Sequence, residues 1–414
     1  MTPRVFLGQV LSADHSCRAA VARLLADRVS RGLGPCSRET GAYCQARKRL
    51  PEEFFATTTR ETAAALDRSA RPEWLWKRRR VFAYDGSTVS MPDTVENQQA
   101  YPQAPQQRPG VGFPLARIAA FFSLASGAVI DLAICPYFGK GNSEMGMLHQ
   151  LWSVLRRDDV MLADRYMCAW HEIYLLKQRG VDAVIRINHH RKVDFRRGKR
   201  LGEGDHLVEW TKPQLIRTLD REAFNTLPER FTVRETRVRV DQPGFRGHNI
   251  VVVTTLLNAD EVTADDLAEL YRARWNAELD LRSLKETLQM NTLRCKTPEL
   301  VRKEVWTHLL AYNLIRTVMA QAATTHATQP RTISFKGAVQ VLGAFGPMIA
   351  AKGWHAPELR LRFYRIILDA IASQRVADRP GGFEPRLIKR RNGKYDLLTK
   401  PRHETKQRML KQLA

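Results

Sequence analysis

Apolar positions in the first 78 residues recur at the three-to-four spacing of helices. Between Cys17 and Val29 they fall at Val21, Leu24, Leu25 and Val29, and the run breaks at Gly32-Leu33-Gly34-Pro35. A second short helix is predicted from Thr40, in N-cap position, to Leu50 before Pro51. From Arg78 the pattern shortens. Arg80–Tyr84 reads as a strand that stops at the turn Asp85-Gly86-Ser87, and Ile118–Leu124 and Ala128–Ile134 flank Ala-Ser-Gly as a hairpin. Met145, Leu148, Leu151 and Leu155 give Asn142–Leu155 a helical face. Val160–Ala163 is a strand running into Asp164, Cys168–Gln178 is a helix closed by Gly180, and Ala183–Ile187 is a further strand.

Three antiparallel strands followed by strand–helix–strand crossovers predict a mixed sheet covered by helices. The first and fourth strands can then lie parallel as neighbours, each ending in an aspartate. Residues 189–262 open with basic runs (His189–Lys192, Arg196-Arg197, Lys199-Arg200). They continue as strands at His206–Trp210, Phe231–Val240 and Ile250–Leu256, a β-rich insertion. Helices resume over Ala264–Met290 and about Glu299–Ala323. The expected organisation is a helical N-terminal domain (1–78) and a core in two parts (79–188 and 263–345) around the insertion (189–262). A basic C-terminal region, a candidate for dimerisation, follows (346–414).

Composition narrows the function. The 414 residues hold 66 Lys+Arg against 43 Asp+Glu, a formal charge of +23, and 44% are hydrophobic, enough for real cores. Such an excess repels itself unless a polyanion offsets it, which makes nucleic acid the leading partner. The six cysteines form no C-x-x-C pair and fit reduced thiols of a cytoplasmic protein. No secretory signal is read at the N-terminus, and the uncharged core of the most apolar stretch, Ile118–Ile130, is too short to span a bilayer. No membrane association is expected.

The candidate chemistry lies in Tyr271–Lys285. At ~100° per residue, Tyr271, Arg274, Glu278 and Lys285 share an arc of about 60° on one helix, with Leu281, Leu284 and Leu288 on the adjoining stripe. A phenol, a guanidinium, a carboxylate and an ammonium in line suit a metal-binding glutamate beside phosphate-holding cations. A solvated helix with an ordinary i,i+4 Arg–Glu pair has the same pattern. The Arg47-Lys48-Arg49 end of the second N-terminal helix is equally open, as part of a helix–turn–helix-like DNA contact or as a solvated basic face.

The spacing Y-(2)-R-(3)-E-(6)-K, with Arg274-Trp275, resembles the signature of the insertion sequence 4 family of DDE transposases. Tyr84-Asp85-Gly86-Ser87-Thr88 with Met91-Pro92-Asp93 resembles the family's first aspartate region. Leu162-Ala-Asp164-Arg165-Tyr166 resembles the second, followed by Val184-Ile-Arg186. Tyr43-Cys-Gln-Ala-Arg47 and Glu384–Arg391 extend the likeness over most of the chain, with the insertion least clearly matched.

The resemblance implies an α/β fold of mixed α+β character, a ribonuclease H-like sheet flanked by helices with a β-insertion before the glutamate. It implies a catalytic, metal-binding triad of Asp85, Asp164 and Glu278 holding two Mg²⁺, for which Mn²⁺ can substitute. Tyr271, Arg274, Lys285 and Arg186 would then hold DNA phosphates, and Arg47, Lys48, Arg390 and Arg391 are candidates for DNA-end binding. The implied reaction is cleavage at the ends of a bacterial transposable element, through a hairpin in relatives, and joining of 3′-hydroxyls to target DNA. The implied partners are double-stranded DNA, as terminal inverted repeats and target, and a second copy in a homodimer. A ribonuclease H-like nuclease or resolvase without strand transfer, and a silent transposase-derived DNA-binding protein, remain alternatives. Asp131 and Asp93 fall outside the triad. Trp210, the sole insertion tryptophan, reads as a packing residue before a base-stacking one.

Overall fold

The computed structural model describes residues 1–216, 219, 221–240, 248–352, 357–376 and 399–413. The N-terminal segment forms α1 (Thr2–Val10), α2 (Cys17–Ser30), α3 (Thr40–Arg49) and α4 (Glu52–Arg68). The core follows as β1 (Val81–Ser90), α5 (Val95–Ala100), β2 (Leu115–Ser123), β3 (Val129–Pro136), α6 (Glu144–Gln150), β4 (Val160–Ala163), α7 (Trp170–Gln178) and β5 (Asp182–Arg186). Next come β6 (Lys199–Gly202), β7 (Asp205–Thr211), α8 (Arg221–Thr226), β8 (Arg230–Val240) and β9 (His248–Thr254). The remaining helices are α9 (Ala264–Ala273), α10 (Trp275–Arg282), α11 (Pro298–Thr325), α12 (Phe335–Lys352), α13 (Pro357–Ser373) and α14 (Arg402–Leu413).

The strands make one sheet in the order β3-β2-β1-β4-β5-β9-β8-β7-β6. β1, β2 and β3 pair antiparallel, while β1, β4 and β5 run parallel. This β3-β2-β1-β4-β5 unit is the expected ribonuclease H-like sheet, with the first and fourth strands adjacent. Side chains alternate across it. Ala83 and Val89 of β1 join Ile118, Ala120 and Phe122 of β2 in a core capped by α4, α10 and α11. Phe82, Tyr84, Ala119 and Phe121 face the other way, onto α6 and α7.

Local signals start and stop these elements. A Thr263–Asp266 capping box opens α9, and Pro298 sits at the first turn of α11, where its missing N–H costs nothing. Gly180 follows α7 at φ +72°, a backbone that only glycine adopts without strain. Asn313 docks α11 on the sheet: its amide accepts from Val129 N and donates to Val129 O, both at 2.9 Å.

One strand boundary is corrected, and the packing relates the expected segments to one another. β1 does not stop at Asp85-Gly86-Ser87, because β2 pairs with it from Phe82 to Ser90 and the ladder outweighs the turn-forming residues. In the stretch 189–262, β9 bonds to β5 on one edge and β8 on the other, so β6–β9 extend the core sheet. Residues 1–78 are not set apart from the core, since Phe6 and Val10 of α1 and Phe55 and Ala56 of α4 are buried within it. The boundary at 345–346 falls inside α12, whose neighbour α13 buries Ile367, Leu368 and Ile371 in the same core.

Asp280, fully buried, ties α10 to its surroundings. It pairs with Arg316 of α11 and receives two bonds from Arg331 Nη1, at 2.7 and 2.9 Å. Arg331 also donates to the carbonyls of Ser123 and Leu124 (2.6 and 2.8 Å), so the helix is clamped to the end of β2. Asp280→Ala leaves two guanidiniums without their counter-charge and should cost about 3–5 kcal/mol in urea unfolding. A loss below ~1 kcal/mol would show that the clamp does not hold the helix.

Candidate active site

The β1–β4 register pairs Val81 with Val160 through Ala83 with Leu162. Continued two residues, it sets Asp85 level with Asp164, which directly follows the last residue of β4. Alternation along β1 sends Asp85 and Ser87 to the same face as Ala83 and Val89, the face on which α10 packs. Glu278 lies in the first turn of α10.

Asp85 is partly buried and accepts a hydrogen bond from Gly86 N at 2.9 Å. Burial pushes its carboxyl up to about 6; the Gly86 N–H and Arg274 pull it down, while Glu278 and Glu144 push it further up. Asp164 accepts from Tyr166 N at 2.8 Å, capping a single 3₁₀ turn. Glu278 accepts from Arg274 Nη2 at 2.6 Å. Arg274, at the junction of α9 and α10, thus serves a carboxylate pair, and its guanidinium lies 5.9 Å from the Tyr271 ring. Burial lifts the Tyr271 phenol to about 12, with Arg274 and Arg186 opposing the shift and Asp164 adding to it. The phenol is therefore neutral at physiological pH, and Arg186, the last residue of β5, belongs to the same neighbourhood.

Lys285 is held differently from the ideal-helix expectation. The helix is interrupted at Arg274 and widens into a π-turn over Ser283–Thr287, so the 100° pitch fails before Lys285 is reached. From that turn its ammonium donates to Ser87 Oγ at 2.9 Å, two residues from Asp85. Leu281, Leu284 and Leu288 are buried, as their stripe predicts.

The structure adds Glu144, which the sequence reading missed. It opens α6 behind the N-cap Ser143 and pairs with Arg117 at 3.2 Å; Tyr84 Oη donates to its carbonyl at 2.5 Å. Its carboxylate lies against Gly86, where an added Cβ would meet it at 3.1 Å, so a larger residue at 86 would displace it. Gly86 faces away from Asp85, so Glu144 approaches the same sheet end from the opposite face. The acid after the helix-starting serine was the available signal.

Other expected residues lie elsewhere. Arg47 does not face solvent: it is 6% exposed, stacked on Phe6 and Tyr43 and bonded to Gln9 and three thiols, out of reach of a DNA phosphate. A basic helix end looked solvated only because its cover comes from α1, α2 and the segment before α11. Lys48 is exposed on α3. Arg390 and Arg391 lie outside the described residues. Asp131 pairs with Arg60 at 3.0 Å and Asp93 accepts from Gln98 at 2.7 Å, both apart from the acidic cluster. Trp210 is buried, donating to Glu235 at 2.7 Å beneath the Arg191 guanidinium, as a packing residue should be.

Asp85, Asp164 and Glu278 offer hard oxygen donors, the set that Mg²⁺ and Mn²⁺ take. Among the described residues no three metal-ligating side chains stand close enough together to hold an ion as placed, and Arg274 occupies the Glu278 carboxylate. The fit to a divalent cation therefore rests on the chemistry of these carboxylate donors.

Sheet order and the placement of the acids define a ribonuclease H-like protein. Residues 76–314 match the transposase DDE domain family. The chain is 31% identical over 292 residues to the transposase InsG for insertion sequence element IS4 of Escherichia coli (strain K12), covering 68% of this chain and 61% of that relative. It is 40% identical over 104 residues to the putative transposase InsL for insertion sequence element IS186A of the same strain, covering 22% and 28%. A cryo-EM structure of the piggyBac transposase synaptic complex with hairpin DNA overlays at a TM-score of 0.43 and 12% identity, covering 92% of this chain and 76% of that one. The chain belongs to the transposase DDE domain family, and it spans about three-fifths of the length of its InsG relative. Among the described residues no helix is long and apolar enough to cross a membrane.

The Asp85 shift makes a signed prediction. A folded-state carboxyl at about 6, against 3.8 unfolded, favours the native state below pH ~4, and that advantage is lost as pH rises through 6. In urea unfolding without divalent ions, Asp85→Asn should be more stable than the wild type by about 2–3 kcal/mol at pH 7–8. The difference should shrink to near zero at pH 4; a pH-independent difference contradicts the assignment.

Proposed function

We propose that this protein is the transposase of a bacterial insertion sequence, which binds terminal inverted repeats, cleaves at the element's ends and joins the 3′-hydroxyls to target DNA. The observation that carries the reading is the meeting of three elements. Asp85 on β1 and Asp164 after β4 stand level on adjacent parallel strands, and α10 brings Glu278 to the Asp85 face beside Arg274. Asp85, Asp164 and Glu278 would hold the divalent ions that the family uses, two Mg²⁺ in this reading, with Mn²⁺ able to substitute. Bound there, such ions lower the pKa of an attacking water or 3′-hydroxyl and stabilise the leaving oxygen.

The chain's own residues prepare and orient. Arg274, now on Glu278, is placed to exchange that carboxylate for a phosphate, which accepts the same forked donors. Lys285, seated on Ser87, and Arg186 bring positive charge to the DNA backbone on either side of Asp85. Tyr271 stays a neutral donor that backs Arg274 without taking protons from the reaction. The charge excess of +23 supplies non-specific attraction to DNA. Hairpin second-strand cleavage and action as a homodimer on paired ends follow from the family resemblance.

Glu278→Gln should keep binding to the element's ends while nicking in Mg²⁺ falls at least 100-fold. Nicking at wild-type rate would remove Glu278 from the reaction. Lys285→Ala should weaken end binding and lower the slope of log affinity against log salt by about 1. An unchanged slope would mean that Lys285 touches no phosphate.

A further inference from the structure

The Tyr43-Cys-Gln-Ala-Arg47 motif has no part in the reaction described above, yet it is tightly built. Tyr43 Oη donates to Gln9 Oε1 at 2.6 Å, and the Arg47 guanidinium stacks on the rings of Phe6 and Tyr43, 5.0 Å from each centroid. Around its nitrogens stand three thiols from three parts of the chain. Nη2 lies 3.3 Å from Cys17 Sγ and 3.9 Å from Cys44 Sγ, and Nη1 lies 3.8 Å from Cys295 Sγ. Cys17 Sγ and Cys44 Sγ are 3.8 Å apart, in van der Waals contact. Cys295 is buried, but Cys17 and Cys44 are each partly open to solvent. Cys17 is also the first residue of α2, behind the N-cap Ser16, where free helix N–H groups favour a thiolate.

We propose that Cys17 and Cys44 are a modification site: an oxidisable dithiol that forms a reversible disulfide between α2 and α3, with Arg47 stabilising the attacking thiolate. The oxidant is a small disulfide of the glutathione class. Cys17 thiolate attacks one of its sulfurs and expels one thiolate, giving a mixed disulfide. Cys44, losing its proton to solvent, then attacks Cys17 Sγ and expels the second. Two protein thiols are oxidised by two electrons, and one disulfide is reduced to two thiols. Side-chain rotation has to bring the sulfurs from 3.8 Å to bonding distance, since both helices are already in place. Burial holds the Cys17 thiol above its ordinary value while Arg47 draws it back, so Cys17 rests as a thiol and reacts when oxidant rises.

The Arg47 cluster also touches the segment that leads from α10 to α11. Arg47 links the pair to Cys295, and the segment just before it is bonded to β1 through Leu293 N and Ser90 O at 2.9 Å. A disulfide would remove the Cys17 and Cys44 thiols from Arg47 while leaving the Cys295 contact.

The test treats the full chain with oxidised glutathione and maps its peptides by mass spectrometry without reduction. The expected product is a Cys17–Cys44 crosslink formed ahead of any other and reversed by dithiothreitol. Cys44→Ser, which removes the resolving thiol, should leave glutathione on Cys17 in place of the crosslink. Arg47→Lys, which keeps charge but loses the fork, should slow crosslinking about tenfold. Unlinked Cys17 and Cys44 while Cys36 or Cys168 reacts would overturn the site, and an unchanged Arg47→Lys rate would overturn the role of the arginine.

Discussion

The arrangement of this molecule rests on one mismatch in length: β1 outruns its parallel neighbour. β4 accompanies it for three residues, from Val81 to Ala83, while β2 stays paired with it to Ser90. Between Tyr84 and Val89 the strand is held on one edge only, with Asp164 level with Asp85 where the chain leaves β4, before the segment Asn291–Leu293 takes that second edge at Ser90. An aspartate at position 85 is therefore fixed by a full antiparallel ladder yet faces an opening. A loop could not supply that rigidity. The helix bearing Glu278 is fixed with equal firmness by Asp280, whose side chain points into the clamp of Arg316 and Arg331 while Glu278 turns toward Asp85.

Gathering acids at one sheet end carries an electrostatic cost, and the surrounding cations show how it is offset. Arg274 lies on Glu278 and acts on Asp85; Arg117 takes Glu144 on the opposite face. Asp85 is left least compensated, with its carboxyl pushed up to about 6. Arg274 and Lys285 sit on the helix that bears Glu278 or its π-turn, so under the proposed function the same side chains would serve charge compensation and phosphate binding. In this account DNA and metal exchange partners with existing ion pairs instead of entering an empty pocket.

Much of this was legible in the sequence, for identifiable reasons. Short apolar runs gave the strand order, the β1–β4 adjacency and the acids in sequence, because buried strands must be apolar on both faces. Asp85-Gly86-Ser87 misled because turn residues signal a local preference, whereas a nine-residue ladder with β2 is a non-local fact. Arg47 misled for the same reason: its cover comes from Phe6, Cys17 and Cys295, the last 248 residues away. Glu144 escaped notice because its closeness to the site depends on Gly86 having no side chain. The π-turn at Lys285 lies beyond any reading at a fixed helical pitch.

The central claim is that Asp85, Asp164 and Glu278 hold divalent ions while Glu144, on the other face, does not. Mn²⁺ binding followed by electron paramagnetic resonance on the metal-free protein tests this most directly. The account predicts that Asp164→Asn, like changes at Asp85 or Glu278, weakens Mn²⁺ binding at least tenfold while Glu144→Gln leaves it near the wild-type value. Retained binding in Asp164→Asn, together with its loss in Glu144→Gln, would contradict it.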